Sequence, residues 1–241
     1  MPTIVSLHAH PDDEALLTGG WLAQRAAAGD RVVLIFATDG DAGLAADSHS
    51  RGSLGRLRRS EAAASARELG VTRVEWLGYG DSGMAGAPTA SRHRLADAPV
   101  EEAARAVASI LTGYDANGGY GHPDHVQVHR IARAARQAAA RRPVLLEATL
   151  DRTWLVRLLR LLRPIARLLP GLTIPGDDIY ASRPDLSMAV NVRAHLEAKR
   201  AALAAHHSQT SGGIRTIRII LALPRPLARR LLGTEWFHAV P

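Results

Sequence analysis

Thr3-Ile4-Val5-Ser6-Leu7-His8-Ala9-His10-Pro11-Asp12-Asp13-Glu14 is the stretch that decides the reading of this chain. The run over residues 3–8 has the length and apolar character of a buried strand. It delivers His10, Asp12, Asp13 and Glu14 to the turn where a helical pattern, about residues 14–28, begins. In open α/β sheets that turn, beyond the carboxyl end of a strand, is where ligands bind. So many ligand and acid/base groups in five residues repel and desolvate one another, and a metal cation is the simplest offset.

A second stretch answers the first. Tyr120-Gly121-His122-Pro123-Asp124-His125 follows the loosely apolar run Ser109 to Tyr114, which reads as another strand. His122 and His125 are three apart, so they share a face if Pro123 starts a helix, as proline at the first helical position often does. Two strand-end turns thus each carry a His-Pro-Asp core.

Between and beyond these turns, strands and helices alternate. Further strands are expected at Arg31–Ala37, Arg73–Leu77 and Pro143–Thr149, with helices at about 55–69, 99–109 and from Pro123 to about Arg141. Gly29 and Gly70 are suitable helix ends. This rhythm predicts an α/β fold: a Rossmann-like three-layer sandwich with a mostly parallel sheet and helices on both faces. The glycine-rich run Gly78 to Gly86 lacks the Gly-Lys-Ser/Thr ending of a phosphate-binding loop. From about 151 the rhythm changes. Leucines and arginines alternate in helical order over 154–169, where Pro164 should kink or split the helix. A strand at Ser187–Val192, a helix at Arg193–Ala205 and a second basic apolar segment at 214–232 follow. The expected organisation is one domain over 1–241, with a core at 1–150 that holds the metal site and a substrate-covering extension at 151–241.

Bulk properties narrow the function. The chain has 241 residues, 46% of them hydrophobic, and no cysteine, which excludes disulfides, thiolate ligands and a cysteine nucleophile. The amino terminus lacks a basic region ahead of an apolar one, and no uncharged run is long enough to span a bilayer, so a cytoplasmic protein is expected. The formal charge is +7, carried almost wholly by arginine, with Lys199 the only lysine. Aromatic residues are few and not interleaved with the arginines, which argues against a nucleic-acid partner.

The two turns can build an amide hydrolase without serine or cysteine. A divalent ion held by His10, Asp13 and His125 keeps room for water, as catalytic zinc sites do. Metal-bound water is then the nucleophile. Asp12 stays free as general base, and His122 serves as acid or oxyanion stabiliser. Asp124 is placed to orient an imidazole.

These motifs resemble the PIG-L/LmbE-like zinc-dependent N-deacetylases, which remove acetyl from N-acetylglucosaminyl compounds. The run Gly118 to His125 is closest to the branch of N-acetylglucosaminyl-inositol deacetylases and mycothiol conjugate amidases. The resemblance implies His10, Asp13 and His125 as ligands of Zn2+, with Fe2+ the alternative. It implies Asp12 as the base, His122 as its partner and Tyr120 as a group that helps bind the reacting carbonyl. It also suggests substrate-facing roles for Arg58, in an Arg-x-x-Glu spacing with Glu61, and for Asp81 and Met84. The expected partner is a small N-acetylated sugar or glycoconjugate; self-association into a homo-oligomer stays open.

Simpler readings compete. Arg58 could be an exposed arginine paired with Glu61 on the same helix, Glu14 a charge at a helix start, and His206 a structural histidine at a helix end. His8-Ala9-His10 opens amidohydrolase-type barrels, but the strand count is too low for one. The basic 154–169 helix could lie on a membrane or dock a partner, and a metal amidase with a non-sugar substrate is a further alternative.

Overall fold

The computed structural model describes residues 1–42, 53–84, 93–100, 110–151, 153, 186–210 and 216–240. Its centre is a seven-stranded sheet. The strands are β1 (Thr3–His8), β2 (Arg31–Thr38), β3 (Arg73–Tyr79), β4 (Ile110–Tyr114), β5 (Leu145–Thr149), β6 (Met188–Asn191) and β7 (Thr234–Val240), in the spatial order β3-β2-β1-β4-β5-β7-β6. The first five pair in parallel, whereas β7 runs antiparallel to both β5 and β6. Helices α1 (Gly19–Ala27) and α2 (Ser53–Glu68) connect strands on one side of β1. Helix α3 (Pro123–Ala138) joins β4 to β5 on the other side. Winding outward in both directions from the β1/β4 pair puts the two sets of helices on opposite faces. Helix α4 (Leu196–Ala205) packs on α1 and α2. The parallel, mostly helix-covered architecture expected from the rhythm is the one observed.

One apolar core runs through the sheet. Ile4, Leu7, Val32, Leu34, Phe36, Leu111 and Leu145 have almost no exposed surface, and Val192, Leu203 and Phe237 from the later part of the chain belong to the same cluster. Continuous apolar runs are what strands buried on both faces require. The described part of the extension therefore completes the sheet. Residues 154–185, on which a roof over the site and the basic amphipathic helix depended, lie outside the described residues, as does most of the expected 99–109 helix.

Local departures have local causes. The helix expected from residue 14 opens as a single π-turn, Glu14–Thr18, before α1 begins at Gly19. The Thr18 hydroxyl bonds back to the Glu14 carbonyl (3.0 Å). The described residues of the expected 214–232 segment form two helices, α5 (Thr216–Ala222) and α6 (Arg225–Leu232), divided at Pro224, which cannot supply a backbone N–H to continue the first. Trp236 and Phe237 lie within β7, a strand that the sequence reading left out. Among the described residues no helix is long and apolar enough to cross a membrane.

Candidate active site

Strand neighbours bring the two turns together. Ile4, Val5 and Ser6 of β1 pair with Ile110, Leu111 and Thr112 of β4. The chain therefore leaves both strands side by side at the point where the sheet order reverses. After β4 the backbone turns tightly through Gly118–Gly121, where Gly118 has φ +59 and a Cβ would lie 2.7 Å from the Val126 nitrogen. His122 then caps α3: its Nδ1 accepts from the Asp124 N–H (3.2 Å), and Pro123 occupies the first turn. That bond leaves the proton of a neutral His122 ring on Nε2.

His10, Asp13 and His125 form a triangle. His10 Nδ1 is 3.4 Å from Asp13 Oδ2, His125 Nε2 is 3.3 Å from the same oxygen, and the two nitrogens are 3.3 Å apart. Ligand bonds of about 2.0–2.1 Å at tetrahedral angles set donor atoms about 3.3–3.4 Å apart, so the spacing and the donor set fit zinc or a similar ion. Ligand atoms of His10, His122 and His125, and of His10, Asp81, His122 and Asp124, also gather within 4.8 Å. The tighter triangle is the better cradle, because Asp124 Oδ2 is already engaged by the Ser82 N–H (2.9 Å) and by His10.

The other side of His10 is acidic. Its Nε2 lies 3.2 Å from Asp124 Oδ2 and 3.5 Å from Asp81 Oδ1. Burial alone would lower the His10 pKa, but Asp81, Asp124 and Asp13 outweigh it and raise the value well above the ordinary one. Such a carboxylate behind an imidazole fixes its orientation and raises its basicity as a ligand. Burial would raise the Asp13 pKa; His125 and His10 overcome this and hold it well below the usual carboxylate range. Tyr114 completes the surround. Its hydroxyl donates to Asp13 Oδ2 (2.7 Å) and accepts from the Ala9 N–H (3.0 Å), while its ring stacks on His125 at 4.2 Å. Sequence reasoning passed over this tyrosine; its place at the last position of a strand leading into the site was the available signal.

Asp12 stands apart from the triangle. It alone among described non-glycine residues has positive φ, 115°. Burial, partly opposed by Arg58 and reinforced by Asp13, pushes its carboxyl up to about 6. His122 is pushed down to about 4 by burial and by neighbouring His10 and His125.

Arg58 does not lie exposed beside Glu61. It is 3% exposed and reaches inward, with Nη2 3.1 Å from Asp12 Oδ2 and Nη1 2.7 Å from the Gly40 carbonyl. Glu61 instead accepts two bonds from Ser208, at 2.7 Å each. Asp81, expected to face substrate, is 3% exposed behind His10 and accepts from the Gly83 N–H. Met84 and Tyr120 are presented outward, 50% and 41% exposed, and the Tyr120 ring centroid is 5.1 Å from that of His125.

A doubly wound sheet whose switch point gathers imidazoles and carboxylates in this way is an α/β fold with a candidate metal centre. The family model PIG-L, described as GlcNAc-PI de-N-acetylase, matches residues 5–136. The chain belongs to this family. It is similar to the 1D-myo-inositol 2-acetamido-2-deoxy-alpha-D-glucopyranoside deacetylase of Thermomonospora curvata, 35% identical over 97% of this chain and 89% of the relative. The Acidothermus cellulolyticus protein of the same name is 36% identical over 98% and 87%. Among solved structures, the N,N'-diacetylchitobiose deacetylase of Pyrococcus horikoshii matches all of this chain and 84% of its own at a TM-score of 0.65 and 21% identity. The 4-carboxy-2-hydroxymuconate hydratase of Pseudomonas putida matches at 0.63 and 18%, over all of this chain and 97% of its own. At those identities the likeness speaks to the fold alone.

Proposed function

We propose that this protein is a divalent-metal-dependent N-deacetylase acting on a small N-acetylglucosaminyl conjugate, with N-acetylglucosaminyl-inositol the first candidate. The observation that carries the reading is the His10–Asp13–His125 triangle, whose edges of 3.3–3.4 Å suit one tetrahedral ion. When bound, zinc or ferrous iron would polarise the acetyl carbonyl and acidify water beside it. Asp12, outside the triangle and on the same turn, takes the proton from the attacking water. His122 donates from Nε2 to the carbonyl oxygen as negative charge develops there. The C–N bond then breaks, and the proton held by Asp12 passes to the departing amine, so water and amide become acetate and a free amino sugar. Tyr120, exposed and with its ring centroid 5.1 Å from that of His125, and the exposed Met84 are the side chains assigned to the sugar.

The substrate proposal follows the names of the full-length relatives, and the sugar-inositol likeness of Gly118 to His125 supports it. The test measures acetate released from N-acetylglucosaminyl-inositol, from an N-acetylglucosaminyl glycolipid and from a glycopeptide. Enzyme stripped by chelator is compared with enzyme reloaded with Zn2+ or Fe2+. Metal-restored release, fastest with the inositol conjugate, is the expected result. Turnover indifferent to chelation would overturn the metal reading, and release from none of the substrates would overturn the deacetylase reading.

A further inference from the structure

We infer that Glu14 and His206 are positioning residues that hold Asp12 in its working conformation, joined through a buried relay that includes Ser65 of α2. This rests on the role proposed above for Asp12. The Asp12 backbone sits at φ 115°, a region that a residue with a side chain adopts only when its surroundings impose it. Two contacts do so. The Asp12 N–H donates to Glu14 Oε2 (2.9 Å), and Arg58 grips its carboxylate. Without these, the turn would relax to an ordinary backbone angle and swing the carboxylate away.

Glu14 is itself fixed from far along the chain. Its side chain is fully buried, and a lone buried carboxylate would abandon its charge or its position. Its Oε1 instead accepts from Ser65 Oγ (2.5 Å) and pairs with His206 Nε2 (2.8 Å), also fully buried. His206 ends α4, and two residues later Ser208 is tied to Glu61. Arg58, Glu61 and Ser65 fall on one face of α2, so one helix grips Asp12 directly, holds Glu14 and anchors the segment carrying His206. The relay of Glu14, Ser65 and His206 is fully buried. Its chemistry is that of holding a neighbour in place.

The experiment measures kcat, KM and metal bound per chain for Glu14→Gln, His206→Ala, His206→Gln and Asp12→Asn, and for Asp12→Asn combined with His206→Ala. Loss of alignment predicts that His206→Ala and Glu14→Gln lower kcat by about a hundredfold, with KM and metal content little changed. His206→Gln, which keeps an N–H toward Glu14, recovers most of the rate. In the Asp12→Asn background His206→Ala costs less than about a further twofold, because the group being positioned is already gone. Full kcat in both Glu14→Gln and His206→Ala, or an undiminished loss in the Asp12→Asn background, would overturn the inference. Should His206→Ala fail to fold, Ser65→Ala, which spares the charged pair, takes its place under the same non-additivity criterion. An active Asp12→Asn enzyme would instead remove the base assignment, a different failure that the same set of variants separates.

Discussion

Asp13 Oδ2 faces His10 Nδ1 at 3.4 Å and His125 Nε2 at 3.3 Å while accepting from Tyr114. The tyrosine has two duties, so Tyr114→Phe leaves the buried Ala9 N–H without its acceptor. A loss of about 1–3 kcal/mol is expected in urea denaturation of the metal-free protein. Asp124→Asn replaces the carboxylate behind His10 by an amide. Metal affinity should fall about 10–100-fold, measured by competition with a chelating dye, with the fold kept. That His10, Asp13, His122, Asp124 and His125 would gather was legible because crowded ligands at two strand ends have few other uses. The inward reach of Arg58 to Asp12 and the place of Asp81 behind His10 were not. Whether an arginine on a helix points outward or into a turn, and whether a loop aspartate meets a ligand or the back of an imidazole, depends on packing among distant segments. Glu14 and His206 looked structural one at a time, since the pair spans 192 residues.

Among elements, β7 ties together parts of the chain far apart in sequence. Glu235 on this strand accepts from the Gly20 and Trp21 N–H groups at the start of α1, 2.8 Å each, and from Lys199 of α4 at 2.7 Å. Both members of the ion pair are 2% exposed. Lys199→Met strands a buried carboxylate that still has backbone donors, whereas Glu235→Leu strands an ammonium with none of those and uncaps α1 as well. Denaturation midpoints should therefore fall in both, by about 3–5 kcal/mol for Glu235→Leu and less for Lys199→Met. Strands β1 and β2 were readable as continuous apolar runs. Residues 234–240 were not, because half-buried alternation in Thr-Glu-Trp-Phe-His-Ala-Val carries two aromatics, a charge and no flanking pattern to fix it. The π-turn after Asp13 was equally hidden, since helical periodicity does not distinguish one wide turn from the next.

At the level of the whole molecule, the amino- and carboxyl-terminal parts meet at the Glu14–His206 pair, and this makes stability respond to pH. Burial would lower the His206 pKa, but Glu14 outweighs it and raises the value, while His206 and Ser65 hold Glu14 below its usual range against its own burial. The stabilisation from His206 is complete below about pH 6.5 and is lost as pH rises through its elevated folded value. That from Glu14 is present above about pH 4.5 and is lost as pH falls through its depressed value. The stability gap between the native protein and His206→Gln should thus be widest between those limits and narrow toward alkaline pH, as read by thermal unfolding. The sheet order has a consequence for the growing chain on the ribosome. Strand β6 is made before β7, yet its place is beyond it, so β6 has no seat until residues 234–240 arrive between it and β5. The nascent protein can wind its five parallel strands early, but the edge of β5 stays bare and α1 uncapped until the final strand emerges. A pause in synthesis before residue 234 would lengthen that vulnerable interval.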